Sequence, residues 1–222
     1  MPRKSTRPRC PVCGLHLELC LCDALPLRDL STGFVVVQHN RERNKPTSTG
    51  RVTAAVLRAP VIFYGAQGES LDTTALTDPD TDYFVLFPTE DAPPVDDAAT
   101  RPAPGRRRCF VILDGTWQQC SRMARRAPEI SKMQRLALPP GPPSRWGVRT
   151  PPNAAAVCTF EAATRLVALL HGDEAAAPMD SFFTELSSRM LGMRGRVAGD
   201  EPDDLETAEE TAEETAEETA EA

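Results

Sequence analysis

The chain has 222 residues and carries 25 Lys and Arg against 32 Asp and Glu, a net charge of −7; that length suffices for one substantial core with attachments. The acidity is local, because residues 200–222 hold 12 acids and no base, which leaves 25 bases against 20 acids, or +5, over residues 1–199. No apolar run reaches the roughly 18 residues of a membrane helix, and Met1–Arg9 leads into cysteines and not an apolar segment, so neither a membrane span nor a secretory signal is expected.

A cytoplasmic chain keeps its cysteines as thiols unless a metal or chemistry claims them. Four of the seven fall together, Cys10-Pro-Val-Cys13 and then Cys20-Leu-Cys22. Thiolates at this density predict a closed, four-sulfur structural zinc site, and metal binding then supplies folding free energy to a segment, residues 1–30, too short for its own core. Pro11 and Gly14 fit the tight turn of such a knuckle, and His16 is left out because four sulfurs already fill the tetrahedron.

After the thiols, short apolar runs alternate with helical patterns. Gly33–His39, Val61–Gly65, Tyr83–Pro88 and Cys109–Asp114 read as buried strands, with Gln134–Leu138 a weaker fifth. Helices are expected over Thr49–Arg58, Gln118–Arg126 and Thr159–His171, the last capped by Thr159 and stopped by Gly172. Such alternation predicts an α/β fold with a mostly parallel sheet covered by helices on both faces. Thr89–Arg107, rich in Pro, Asp and Ala, reads as a mobile surface loop. Met179–Met193 places Phe182, Phe183, Leu186, Met190 and Met193 on one helical face, a core-packing pattern. Residues 199–222 repeat Thr-Ala-Glu-Glu, and like charges at i and i+4 predict a disordered acidic tail.

The strand ending at Asp114 runs into Gly115, Thr116 and Trp117. In an open parallel sheet ligands bind beyond the carboxyl ends of the strands, so a carboxylate, a backbone that permits close approach, a hydroxyl and an indole arrive at one place. The bland alternatives are a helix cap for Asp114 and a core plug for Trp117. The next helix carries Arg122, Arg125 and Arg126 on one face, and the loop after the first strand carries Arg41, Arg43 and Lys45; both suit RNA phosphates, although exposed basic faces are usually only solvated.

These motifs, in order, resemble the DTW-domain proteins, the tRNA-uridine aminocarboxypropyltransferases. The resemblance runs from Cys10 to Gly172 and rests on six elements: the cysteine cluster, His39 with Glu42 and Thr49, Leu86-Phe87-Pro88, Asp114-Gly115-Thr116-Trp117, Arg149 ahead of Pro151, and Thr159-Phe160-Glu161-Ala162. Asn40 stands where the family often has proline, and the proline-rich insertion before Cys109 and the acidic tail lie outside the pattern.

The resemblance implies a SPOUT-like fold over residues 31–198. It also implies transfer of the 3-amino-3-carboxypropyl group from S-adenosylmethionine to N3 of a uridine in tRNA, with methylthioadenosine as by-product. Asp114 is then the expected general base, Thr116 a partner of cofactor or base, and Trp117 a stacking platform. Leu86, Phe87, Pro88 and Gly115 are expected to cradle the cofactor, Arg149 to clamp its carboxylate or a phosphate, and Glu161 to receive its amino group, unless Glu161 is only a first-turn residue of its helix. His39 joins the basic residues on the RNA side. No obligate protein partner is indicated. Replacing Asp114 by Ala is expected to abolish product and leave the fold intact. Two other readings stay open, an S-adenosylmethionine-dependent RNA methyltransferase and a non-catalytic zinc-containing RNA-binding module.

Overall fold

The computed structural model describes residues 7–65, 71–89 and 91–195. The expected acidic tail, residues 199–222, lies outside the described residues. Five strands, β1 (Gly33–His39), β2 (Val61–Tyr64), β3 (Thr81–Leu86), β4 (Arg107–Asp114) and β5 (Gln134–Leu136), form one sheet in the order β2-β1-β4-β3-β5. Every neighbouring pair is parallel. Parallel neighbours cannot be joined by tight turns and need crossovers, supplied by α1 (Gly50–Leu57) between β1 and β2 and by α2 (Trp117–Arg126) between β4 and β5. Helices α3 (Thr159–His171) and α4 (Asp173–Gly192) complete the chain.

The strands are buried on both faces, which is why they read as unbroken apolar runs instead of alternating ones. Phe34, Phe110, Ile112 and Leu136 face one core with α1, α3, α4 and the cysteine segment. Val35, Val37, Val111 and Leu113 face the other, with Cys120, Met123 and Ala124 of α2. Within the first core Phe160 stacks on Phe183 at 5.3 Å, joining α3 to α4.

Strand β3 spans Thr81–Leu86 instead of Tyr83–Pro88, and three other differences from expectation have a tertiary reason. Strand β4 starts two residues early because the charge of Arg108 is absorbed inside the fold, by Asp97 at 2.7 Å, Thr100 at 3.1 Å and Thr32 at 3.0 Å. Helix α4 runs through Pro178 instead of starting after it, since Ala176 and Met179 on either side are buried; that packing offsets the backbone hydrogen bond a proline removes. Finally, the stretch read as a loose loop is docked where it is described. Val95 N–H donates to the Ala137 carbonyl at 2.8 Å and Ala137 N–H to the Pro93 carbonyl at 2.9 Å, and Val95 is buried. Gly172, at φ +85°, ends α3 as expected and α4 follows at once. Among the described residues no helix is long and apolar enough to cross a membrane.

β1 leads outward to β2, whereas β4 leads the other way to β5. The carboxyl ends of β1 and β4 therefore flank the point where the strand order reverses, and a cleft opens beside it, over the ends of β4 and β3.

Candidate functional site

A cleft of about 870 Å³ lies beyond the ends of β3 and β4, bounded by residues 47–49, 86–88, 114–118, 138–141 and 149–159. That volume suits a cofactor-sized ligand. At its floor Asp114 is 3% exposed. Asp114 pairs in register with Gln38 of β1, so their side chains leave the sheet on the same side. Its Oδ2 accepts from Gln38 Nε2 at 2.8 Å and from Ser48 Oγ at 2.7 Å, and its Oδ1 accepts from Thr159 Oγ1 at 2.6 Å. A carboxylate offers about four lone-pair sites, so three are filled by protein and the remaining one is on Oδ1. Gly50, the first residue of α1, backs the group so closely that a Cβ there would overlap Asp114 Cγ.

Asp114 does not cap α2. Thr116 does: its hydroxyl accepts from Gln119 N–H at 3.3 Å, while Gln119 Oε1 accepts from Thr116 N–H at 2.9 Å. This reciprocal capping box satisfies two backbone donors and fixes where the helix begins. Trp117, 39% exposed, leans on Phe87 with ring centroids 5.3 Å apart. It lines the cleft, while the hydrogen-bond partners of Asp114 are an amide and two hydroxyls.

Residues 7–191 match the family model described as DTW domain. The chain belongs to the DTW-domain family. It is 25% identical to tRNA-uridine aminocarboxypropyltransferase 2 of Drosophila melanogaster, over 74% of this chain and 67% of that one. The proteins of the same name from Mus musculus and Macaca fascicularis are 25% and 26% identical, each over 74% of this chain and 57% of theirs. The chain thus spans little more than half the length of these two mammalian relatives. No solved structure shows a significant match.

In this DTW-domain chain the other expected site residues divide. Leu86, Phe87, Pro88, Gly115 and Arg149 line the cleft. Arg149, however, is already paired, its Nη2 donating to Glu42 Oε2 at 2.7 Å and its Nε to Thr47 Oγ1 at 2.9 Å. Glu42 is fully buried, and Lys45 also approaches it at 3.1 Å. Glu161 is turned away from the cleft. Its Oε2 accepts from Ser144 Oγ at 2.6 Å and from Cys158 N–H at 3.1 Å, and its Oε1 from Arg145 N–H at 2.6 Å. Glu161 lies in the first turn of α3 and ties the 144–145 loop to the start of that helix. Cys158, not Thr159, is the N-cap residue of α3, which releases the Thr159 hydroxyl for Asp114.

His39 is buried, with Nδ1 accepting from Arg41 N–H at 3.3 Å, so it caps a turn and offers no open face to RNA. Arg43 is exposed over the Phe63 ring at 4.4 Å, and Arg125 and Arg126 are exposed on α2, whereas Arg41, Lys45 and Arg122 are half-buried. None of these six basic residues lines the cleft. Sequence reasoning missed Gln38, Ser48 and Gly50. Ser48 sits inside a loop read only for its charges, and nothing in the chain alone places Gln38 opposite Asp114.

The four N-terminal thiols converge, with Cys10 and Cys22 sulfurs 3.5 Å apart, Cys13 and Cys20 sulfurs 3.7 Å apart, and all four within 4.8 Å of one another. A tetrahedral zinc with bonds of about 2.3 Å needs sulfurs about 3.8 Å apart, so the donor set fits such an ion. Val12 and Cys22 N–H groups point at Cys10 and Cys20 sulfurs, each at 3.4 Å, which favours thiolates. Burial opposes the ionisation of Cys10, but hydrogen bonds from the Cys13 and Val12 N–H groups and from the Cys22 and Cys20 side chains together draw the thiol down to about 7. Burial pushes Cys13 and Cys22 up. The knuckle docks through Gly14, at φ +75°, where a Cβ would overlap the Pro46 carbonyl oxygen. Pro46 directly precedes Thr47 and Ser48, the partners of Arg149 and Asp114.

Proposed function

We propose that this chain transfers the 3-amino-3-carboxypropyl group from S-adenosylmethionine to N3 of a uridine in tRNA and releases methylthioadenosine. The observation that carries the reading is the Asp114 carboxylate, held by three donors at the floor of a cofactor-sized cleft beside an exposed indole, in a chain of the DTW-domain family. The all-parallel sheet with helices on both faces supports a SPOUT-like fold.

Bound S-adenosylmethionine supplies a sulfonium, from which the methylene of the methionine chain passes to the nucleophile while sulfur keeps the electron pair. The protein's part is positioning, since three carbons flank that sulfur and the one held in line with the uridine nitrogen reacts. The open lone pair on Asp114 Oδ1 takes the N3 proton as the bond to carbon forms. Gln38, Ser48 and Thr159 hold the carboxylate still, so no reorganisation is needed at the moment of reaction. Leu86, Phe87 and Pro88 form an apolar seat for adenosine, and Trp117 is a stacking surface for an extruded uridine. Arg43, Arg125 and Arg126 are the exposed phosphate contacts for tRNA. The thiolate cluster holds zinc in a structural role, because four sulfurs leave no open position for water.

The by-product separates this reaction from methyl transfer on the same cofactor. Incubation with S-adenosylmethionine and bulk tRNA is expected to release methylthioadenosine; release of S-adenosylhomocysteine instead makes the protein a methyltransferase, and no cofactor binding by titration leaves only an RNA-binding module. A second prediction tests the floor of the cleft. Gly50→Ala places a methyl group against Asp114. The transfer rate is expected to fall roughly hundredfold, the scale of a 1 Å misplacement, and thermal stability to fall as well, because displacing the buried carboxylate disturbs its bonds to Gln38, Ser48 and Thr159. A rate within twofold of wild type shows that Asp114 need not hold this position.

A further inference from the structure

Resting on that reading, we propose that Arg165, and not Arg149, binds the carboxylate of the aminocarboxypropyl group and thereby selects donors that carry one.

Arg149 and Arg165 are the two cations that line the cleft. Their electrostatic situations differ. Arg149 is neutralised by a fully buried Glu42 at 2.7 Å and spends its Nε on Thr47. A ligand carboxylate drawn to it would compete with a protein carboxylate that cannot leave, and stripping Arg149 from Glu42 would leave that buried charge to Lys45 alone. Arg165 stands on α3 with no carboxylate within ion-pairing distance among the described residues; its recorded hydrogen bond goes to the Pro142 carbonyl. A guanidinium has five donors in a fixed fork, so most remain for a planar anion.

The neighbourhood explains why the charge is unpaired. Arg165 also borders a smaller pocket of about 540 Å³, whose acids are Glu161 and Asp180. Glu161 is filled by Ser144 and by the Arg145 and Cys158 N–H groups, and Asp180 is paired with Arg145. Gly141 lies over the guanidinium, where a Cβ would come within 2.9 Å of Nη1. Arg165 is thus a seated cation without a counter-ion among the described residues, at the wall of the cleft that ends on Asp114.

The spacing matches the donor. Thr159, which touches Asp114, and Arg165 are six positions apart on the same helix, about 9 Å along its axis. Between them Ala162 lines the cleft, so no bulky side chain intervenes on that wall. Transfer needs the reacting methylene near Asp114 and the carboxylate a few bonds further away. An arginine about one and two-thirds turns along the helix fixes that far end, and with it which of the three carbons on sulfur faces the nucleophile. A bidentate guanidinium–carboxylate pair fixes orientation as well as position.

The test is calorimetric titration of the full chain with S-adenosylmethionine and, separately, with methylthioadenosine, which has the same adenosine but no carboxylate. Arg165→Gln is expected to weaken S-adenosylmethionine about tenfold to hundredfold, the range for a charged hydrogen bond, and to leave methylthioadenosine within twofold of wild type. Unchanged methylthioadenosine binding certifies that the cleft of the variant is intact. Arg165→Lys, which keeps charge without the fork, is expected to fall in between, and it serves if the glutamine variant does not fold. Arg149→Gln is the reciprocal control. Equal loss of both ligands in the Arg165 variants, or full retention of S-adenosylmethionine, overturns the assignment, as does a selective loss confined to Arg149→Gln. A wild-type protein that binds methylthioadenosine and S-adenosylmethionine equally tightly also overturns it, while the transfer reading survives; one that binds neither overturns both.

Discussion

Asp114→Ala is expected to yield no modified uridine and, in addition, a less stable protein. Three protein groups, Gln38, Ser48 and Thr159, donate to that carboxylate. Removing it strands their donors in a buried site at about 1 kcal/mol or more each, or about 3 kcal/mol in all, less whatever water recovers from the cleft side. This corrects the simpler expectation of an inactive variant with an intact fold. Asp114→Asn retains the shape and one oxygen, so it is expected to be equally inactive with a smaller loss of stability. Mass spectrometry of nucleosides from treated tRNA, paired with denaturant unfolding of both variants, separates the two effects. Product at the wild-type level from either variant removes Asp114 from proton transfer, and wild-type stability of the alanine variant shows that its three contacts carry no net stabilisation.

The second large effect is expected from Cys13→Ser. The sulfurs of Cys10, Cys13, Cys20 and Cys22 stand at separations that suit one tetrahedral ion, and structural zinc supplies about 10–16 kcal/mol in isolated fingers at neutral pH. Weakening one of four ligands is therefore expected to lower bound zinc and thermal stability together. The consequence extends beyond the knuckle, because Gly14 rests on Pro46 and the next two residues contact Arg149 and Asp114. The pH dependence has a definite sign. Burial raises Cys13 and Cys22, so their protons must leave as the metal enters. Zinc should accordingly be held more tightly as pH rises and be lost as pH falls. Metal content by atomic spectroscopy across pH, with a thermal melt at each point, provides the check; a variant that keeps full zinc refutes the four-thiolate site.

Much of this was legible in the chain. The five strands read correctly because both faces of a parallel sheet are buried and each strand is a continuous apolar run. The cysteine spacing announced the cluster, and Asp114-Gly115-Thr116-Trp117 at a strand end announced the cleft. What could not be read depends on register and long-range packing. That Gln38 lies opposite Asp114 follows from how β1 and β4 align, which no local pattern encodes. Thr159 and Glu161 exchanged their expected kinds of work: the hydroxyl expected to cap α3 went to Asp114, and the carboxylate expected in the cleft went to the capping box. Local rules rank capping residues by propensity, but a buried acid at hydrogen-bond distance is the stronger claim on a hydroxyl. Arg108 was passed over as a strand residue for the same reason, since its partners Asp97 and Thr32 are distant in sequence.

The most direct measurement uses S-adenosylmethionine isotopically labelled in its aminocarboxypropyl carbons, incubated with the protein and unmodified tRNA, followed by nucleoside mass spectrometry. A uridine carrying the whole labelled unit on its ring nitrogen, formed in step with methylthioadenosine, is the predicted result. Unlabelled tRNA, or label retained entirely in S-adenosylhomocysteine, contradicts it.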